Sequence, residues 1–72
     1  MAINLYAEHD RARREAATAA FMADPEFPAL EAEARARGFR KATLFEINAS
    51  ADRAQWAPDL YSWRGGLWVP LA

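Results

Sequence analysis

The 72-residue chain contains no cysteine, one histidine and three glycines, and these scarcities exclude several kinds of site. Without cysteine there is no disulfide, no thiolate ligand for zinc and no thiol nucleophile. The run Glu8-His9-Asp10 invites a metal or acid-base interpretation, but adjacent residues on a helix project in different directions and cannot converge on one ion. We therefore expect no metal site, and we expect His9 to be partly buried and hydrogen-bonded.

The chain also lacks a charge of one sign and a long apolar run. Nine basic and ten acidic residues give a net charge of -1, so no long-range field attracts nucleic acid or anionic lipid. Residues 1–7 have no basic start and no apolar stretch long enough for a signal peptide or a membrane span. These features predict a cytoplasmic protein with no membrane contact, for which a nucleic-acid partner is unfavoured.

Catalytic constellations are missing as well. Ser50 and Ser62 have no nucleophile-elbow context, and Gly65-Gly66 joins two predicted strands instead of leading into a helix N-terminus that could hold phosphate. A chain of this length buries only about 60% of its unfolded surface and has little room for a water-excluding pocket. The sequence therefore predicts a protein that is not an enzyme and needs no cofactor.

The first half of the chain has helical periodicity and the second half has the pattern of strands, which indicates one α+β domain over residues 1–72. We predict two N-terminal helices packed on a three-stranded antiparallel sheet that ends in a Gly-Gly hairpin. The first helix is predicted over residues 4–23, and a strand over residues 2–7 with a helix starting near Asp10 remains an alternative. The predicted inner stripe consists of small residues with one leucine and one histidine: Leu5, His9, Ala12, Ala16, Ala19, Ala20 and Ala23.

The middle of the chain is predicted to contain a second helix and the first strand. The helix is expected to begin at the N-cap Asp24, to reach about Arg37 and to stop at Gly38 in a left-handed conformation. Its inner face carries Phe27, Leu30 and Ala34. A strand follows over residues 41–48, with Thr43, Phe45 and Ile47 on one face. Ser50 is then expected to cap a single turn through Gln55, with Trp56 in the core over a sheet edge.

The last dozen residues carry the strongest local signal. Two apolar runs flank Gly65-Gly66, which predicts a two-residue hairpin in which Trp63 lies opposite Trp68 and Tyr61 opposite Pro70. Because side chains alternate along a strand, these four aromatic and proline residues share one face. The opposite face carries Leu60, Leu67, Val69 and Leu71, with Ser62 and Arg64, and we expect its leucines and valine to pack on the helices.

The hairpin also carries the candidate site, because protein interfaces are enriched in tryptophan, tyrosine and arginine. The predicted partner-binding residues are Tyr61, Trp63, Arg64 and Trp68. Burial of Trp63 and Trp68 in the core is an equal alternative at this stage. The sequence thus predicts a non-enzymatic protein-binding protein. The alternatives are a subunit of a homo-oligomer or phage structural assembly, and a small binder of single-stranded nucleic acid. Binding or self-association through an exposed strand edge, which Pro70 would limit on one side, is a further option.

In its size, its lack of cysteine and its small α+β character, the chain resembles small phage-encoded proteins that antagonise bacterial defence, anti-CRISPR proteins in particular. The resemblance covers the whole chain loosely and rests on no single motif, so no site residue follows from it. It implies an inhibitor that sterically blocks a surface of a bacterial complex such as CRISPR-Cas, acting in the host cytoplasm on a host or phage protein.

Overall fold

The computed structural model describes the backbone of residues 7–72 and the side chains of residues 11–72. This part of the chain forms helices and strands in the order α1 (Ala7–Ala23), α2 (Phe27–Ala36), β1 (Phe39–Lys41), α3 (Leu44–Ala51), β2 (Tyr61–Trp63) and β3 (Gly66–Pro70). The strands make an antiparallel sheet in the order β1-β3-β2. The predicted α+β class, with two N-terminal helices ahead of a three-stranded antiparallel sheet, is confirmed.

The central strand β3 divides the sheet into two faces of different composition. Lys41 and Tyr61 both pair with Trp68, while Phe39 pairs with Pro70 and Trp63 with Gly66. Because paired residues share a face, these positions form one side of the sheet, which we call the tryptophan face. The other side, the aliphatic face, carries Arg40, Ser62, Leu67 and Val69.

Each face is covered by a different helix. On the tryptophan face, α2 contributes Phe27 and Ala34 to a cluster with Trp68. On the aliphatic face, Ile47 of α3 packs against Val69. The expectation that the aliphatic face packs on the N-terminal helices is therefore wrong. Alanine at position 34 leaves room for the large indole of Trp68, which places α2 on the tryptophan face.

The predicted strand over residues 41–48 is wrong after Lys41, because a capping box starts α3 there. The Glu46 backbone N–H donates to Thr43 Oγ1 at 3.1 Å, and the Thr43 N–H donates to Glu46 Oε1 at 2.9 Å. Each residue thereby satisfies a backbone donor that a helix start leaves without a partner. Ser50, expected to cap a later turn, lies inside α3.

Trp56 is not a core residue, contrary to expectation. Its side chain is 56% exposed and stacks on Phe45, which is 72% exposed, with ring centroids 4.9 Å apart. Because α3 replaces the predicted strand, Ile47 and Leu60 already pack against the aliphatic face. Trp56 is left outside with Phe45 as its partner.

The alanine stripe predicted as the inner face of α1 is also wrong. The half-buried residues are Arg14, Thr18 and Phe21, while the alanines of the stripe that the structure describes are exposed: Ala12, Ala16, Ala19, Ala20 and Ala23. Arg14 Nε donates to Asn48 Oδ1 of α3 at 2.9 Å, and Phe21 packs against the Trp68 cluster. Polar contacts and one aromatic ring therefore set the orientation of α1, because alanine contributes little burial energy.

Some predictions for α1 lie outside the described residues. These are the strand alternative at residues 2–6, the start of the helix at residues 4–6, the place of Leu5 on the stripe, and the side chain of His9. The helix already includes Ala7, so a start near Asp10 is excluded.

The second helix follows the sequence more closely. Phe27 and Ala34 are buried, Leu30 packs against them, and Gly38 has the predicted left-handed conformation at φ +95°. The N-cap, however, is Glu26 and not Asp24. Asp24 Oδ1 instead accepts a hydrogen bond from the Glu26 N–H at 2.8 Å, which is a local turn ahead of the helix.

The ion pair between Arg40 and Glu46, the acidic residue of the capping box, predicts that the stability of the fold depends on pH. Two hydrogen bonds from the Arg40 guanidinium, at 2.9 and 3.0 Å, lower the pKa of Glu46 from 4.5 to about 2. A carboxyl whose pKa is lower in the folded state stabilises it above pH 4.5 and loses that contribution as the pH falls toward 2. After allowance for solvent screening at Arg40, we expect about 1 to 2 kcal/mol of the unfolding free energy to disappear over this range.

Urea denaturation between pH 2.5 and pH 7 measures this effect. The substitution Glu46→Gln should lower stability at pH 7 and flatten the acid limb of the curve. Parallel pH curves for the two proteins would show that the Arg40 contact does not stabilise the fold.

Candidate functional site

The hairpin turn consists of Arg64 and Gly65, one residue earlier than predicted. Both have positive φ, +52° and +80°, as the two central residues of a type I′ turn require. Trp63 consequently pairs with Gly66, and Tyr61 with Trp68, so the predicted Trp63–Trp68 and Tyr61–Pro70 pairs are wrong. Each residue of β2 therefore pairs with a β3 residue two positions away from the predicted one. Because side chains alternate along a strand, a shift by two residues leaves every side chain on its predicted face.

Gly66 is the first residue of β3, and Phe21 of α1 lies against it. A Cβ at position 66 would lie 2.7 Å from Phe21 Cζ, a distance that real Cβ atoms do not show. Glycine at this position therefore serves a close approach between α1 and the sheet, while Gly65 supplies the positive φ. Two adjacent glycines have two different structural roles here.

Trp68 is a core residue, which answers the question that the sequence left open for this side chain. Only 1% of its surface is exposed, and its indole N–H donates to the Trp63 carbonyl oxygen at 2.9 Å. Phe21 meets the Trp68 ring edge to face, with centroids 6.0 Å apart. Trp68 is thus inaccessible to a partner across most of its surface and supports the site from beneath.

Trp63 is half-buried and lies at the border between core and surface. Its ring meets Trp68 edge to face at 5.5 Å. The guanidinium carbons of Arg37 and Arg64 lie 5.6 and 5.3 Å from the centre of the Trp63 ring. Cations at this distance are attracted to the indole and hold its orientation. Trp63 is therefore an aromatic side chain whose ring is contacted by two cations.

A groove of about 520 Å³ opens beside Trp63, and we call it the Trp63 groove. Its lining is mostly apolar and comes from α2, β1 and the hairpin: Ala34, Arg37, Phe39, Tyr61, Ser62, Trp63 and Trp68. Tyr61 is 48% exposed and packs edge to face on Phe39 at 5.3 Å. The volume lies within the range of known binding clefts.

The structure therefore places the four predicted site residues in different environments. Tyr61 and Trp63 line the groove and Arg64 contacts Trp63 beside it, whereas Trp68 forms its buried floor. Sequence reasoning missed Arg37 and Phe39, which flank Gly38. The left-handed glycine was a usable signal, since it reverses the chain so that the end of α2 and the start of β1 lie side by side.

A third cation, Lys41, contacts the hairpin from the neighbouring strand β1. Its Nζ donates to the Leu67 carbonyl oxygen at 3.0 Å and lies 5.5 Å from the centre of the Phe21 ring. Partial burial lowers the pKa of Lys41. Its ammonium group is engaged by the protein itself, so we assign it a structural role at the hairpin.

Arg64 has a left-handed backbone conformation, which is unfavourable for an arginine residue. Arginine adopts this left-handed conformation less readily than asparagine does. The substitution Arg64→Asn should therefore raise the unfolding free energy by about 0.5 to 1 kcal/mol. Arg64→Ala is the matched control, because it removes the cation and keeps the strain. Urea denaturation should rank Asn above both Arg and Ala; an Asn variant no more stable than Ala would contradict the assignment of strain.

Within residues 11–72, no three histidine, cysteine, aspartate or glutamate side chains lie close enough together to hold a metal ion. The helices of residues 7–72 include none that is long and apolar enough to cross a membrane. Comparison with known proteins gives no match: no family model, curated protein or solved structure is similar to this chain.

Proposed function

We propose that this chain is a non-enzymatic protein-binding protein and that its partner contacts the Trp63 groove. The observation that carries the proposal is an open, largely apolar groove with a half-buried tryptophan and two arginines at 5.3 and 5.6 Å from its ring. Tryptophan, tyrosine and arginine contribute most to binding energy at protein interfaces, particularly where water is excluded around them. Tyr61, Trp63 and Arg64 supply this set on one side of the hairpin.

A protein partner fits the groove better than nucleic acid does. Stable contact with a phosphate backbone needs several cations, each of which releases a counterion. The groove has Arg37 in its lining and Arg64 beside it, and both lie within 6 Å of the Trp63 ring where a base would stack. A mostly apolar lining with a charged rim is the usual composition of a protein interface.

The mechanism that we propose is steric. A small domain that occupies a surface of a larger complex blocks whatever else binds there, and no chemistry is required of it. Inhibition of a bacterial defence complex by a phage protein in the host cytoplasm is one activity of this kind, and it stays a prediction from the sequence.

Self-assembly is a second candidate, because one face of α1 is exposed over residues 12–23 of the described part of the chain. Ala12, Ala16, Ala19 and Ala23 are exposed and recur at spacings of four and three residues, the spacing of a helix-pairing seam. Light scattering from 10 to 500 μM tests this candidate. A mass that stays at one chain throughout would exclude it.

Affinity capture tests the proposed function. The tagged protein is incubated with a lysate of its source organism or host, and bound proteins are identified by mass spectrometry. Trp63→Ala should reduce recovery of the partner at least tenfold, because it removes the groove's central side chain. Phe45→Ala is the matched control, since Phe45 is a highly exposed aromatic residue on α3, which covers the opposite face of the sheet.

Near-ultraviolet circular dichroism confirms that both variants are folded before capture. Equal recovery by the folded Trp63→Ala variant and the wild-type protein would exclude the groove as the binding surface.

A further inference from the structure

We infer that the partner presents an extended acidic segment, which adds as a strand to the free edge of β2 and places apolar side chains in the Trp63 groove. This inference rests on the proposed function and specifies the chemistry of its partner.

The free edge of β2 is the first observation. β2 is an outer strand of the sheet, so one side of its backbone pairs with no other strand in the described residues. In a two-residue hairpin the pair next to the turn, here Trp63 and Gly66, is hydrogen-bonded, and Ser62 therefore directs its N–H and C=O away from β3. β2 has neither a proline nor a charged side chain, two common devices that block strand addition.

The groove reaches this edge. Ser62 belongs to the aliphatic face by its pairing with Leu67, yet it also lines the groove, whose other hairpin residues lie on the tryptophan face. A strand added beside β2 alternates its side chains between the two faces. Every second side chain would therefore lie over Tyr61 and Trp63, at the mouth of the groove.

The charge around the groove selects an acidic segment. Arg64 is exposed and has no ion pair within residues 11–72, and Arg37 has one partner, the exposed side chain of Glu33 at 3.2 Å. No acidic side chain lies among the residues that line the groove. A carboxylate from the partner can receive charge-assisted hydrogen bonds from these guanidinium groups.

The opposite edge of the sheet does not offer the same charge. On β1 the Arg40 guanidinium donates two hydrogen bonds to the Glu46 carboxylate. The Lys41 ammonium donates to the Leu67 and Ala42 carbonyl oxygens. Available cations and an apolar groove therefore coincide at β2, which favours this edge for an acidic strand.

Selection from a displayed library of random 12-residue peptides tests the inference on the full chain. The enriched peptides should alternate acidic and apolar residues and lack proline at their centre. Synthetic copies should bind at least tenfold more weakly when lysine replaces the acidic residues, and when alternate backbone amides are N-methylated. Failure of any sequence to enrich, a helical spacing of apolar residues, or indifference to N-methylation would overturn the inference.

A matched pair of variants places the peptide on the edge. Ser62→Pro removes the N–H that points away from β3, whereas Ser62→Ala keeps it. The enriched peptide should bind folded Ser62→Pro at least tenfold more weakly than it binds Ser62→Ala, because both variants lack the serine hydroxyl and only the proline variant lacks the N–H. If Ser62→Pro does not fold, the N-methylated peptides decide the same question.

The outcomes separate the inference from the proposed function. Partner capture that needs Trp63 but is unchanged in Ser62→Pro would leave a binding protein without strand addition. Capture that needs neither residue removes both proposals. Salt-dependent binding of a labelled 20-nucleotide single strand that competes with the peptide would replace the acidic segment with nucleic acid.

Discussion

Replacing Trp68 with alanine is expected to unfold the domain or leave it barely stable. The indole is 1% exposed, it contacts α2, Phe21 and Trp63, and it lies on the central strand of the sheet. Truncation of a buried aromatic residue removes about 3 to 5 kcal/mol, and the whole unfolding free energy of a domain this small is about 5 kcal/mol. The lost side chain is also the floor of the Trp63 groove, so binding should fail with the fold.

Urea denaturation followed by circular dichroism measures this effect, with Trp56→Ala as the control of the same residue type. Trp56 is 56% exposed and stacks on exposed Phe45, so its removal should change the unfolding free energy by about 1 kcal/mol or less. Equal stability of the two alanine variants would show that Trp68 is not the centre of the core.

The substitution Gly66→Ala is expected to destabilise the protein by about 1 to 3 kcal/mol, the usual effect of overpacking a core. The added methyl group would lie 2.7 and 2.8 Å from two carbons of the Phe21 ring, so α1 or the hairpin must shift. The effect should appear as a lower midpoint of urea denaturation.

A double-mutant cycle identifies the cause. Combining Gly66→Ala with Phe21→Ala should recover most of the loss due to the new methyl group, because the clashing ring is gone. Gly65→Ala is the contrasting variant: its nearest Phe21 atom is 4.0 Å away, so its loss comes from the positive φ and should not be recovered. If the losses of unfolding free energy caused by Gly66→Ala and Phe21→Ala simply add in the double variant, the Phe21 ring does not restrict residue 66.

The parts of the fold that local patterns control were predictable from the sequence. Alternation along the hairpin assigned Tyr61, Trp63 and Trp68 to one face, and the apolar spacing of α2 and the left-handed Gly38 were also predicted correctly. The prediction of a strand after Lys41 was wrong because it relied on the β-branched and aromatic residues of this segment and not on its helix-capping signal. Thr43 and Glu46, three residues apart, carried that signal.

The remaining errors depend on tertiary contacts that the sequence does not display. One such contact is that of Gly66 with Phe21, 45 positions earlier in the chain, whose ring leaves no space for a side chain at position 66. The orientation of α1 likewise depends on Arg14 reaching Asn48 across the molecule. At the candidate site, Tyr61, Trp63 and Arg64 were identified from composition, but Arg37 and Phe39 join them only through the turn at Gly38.

Site-specific photocrosslinking tests the central claim, that the Trp63 groove contacts the partner, most directly. A photoreactive p-benzoylphenylalanine at position 61 occupies an exposed site in the groove, and the same residue at position 45 occupies an exposed site on α3. After irradiation in the lysate, we expect one partner protein to be crosslinked from position 61 and none from position 45. Crosslinking of a partner from position 45 alone would contradict it.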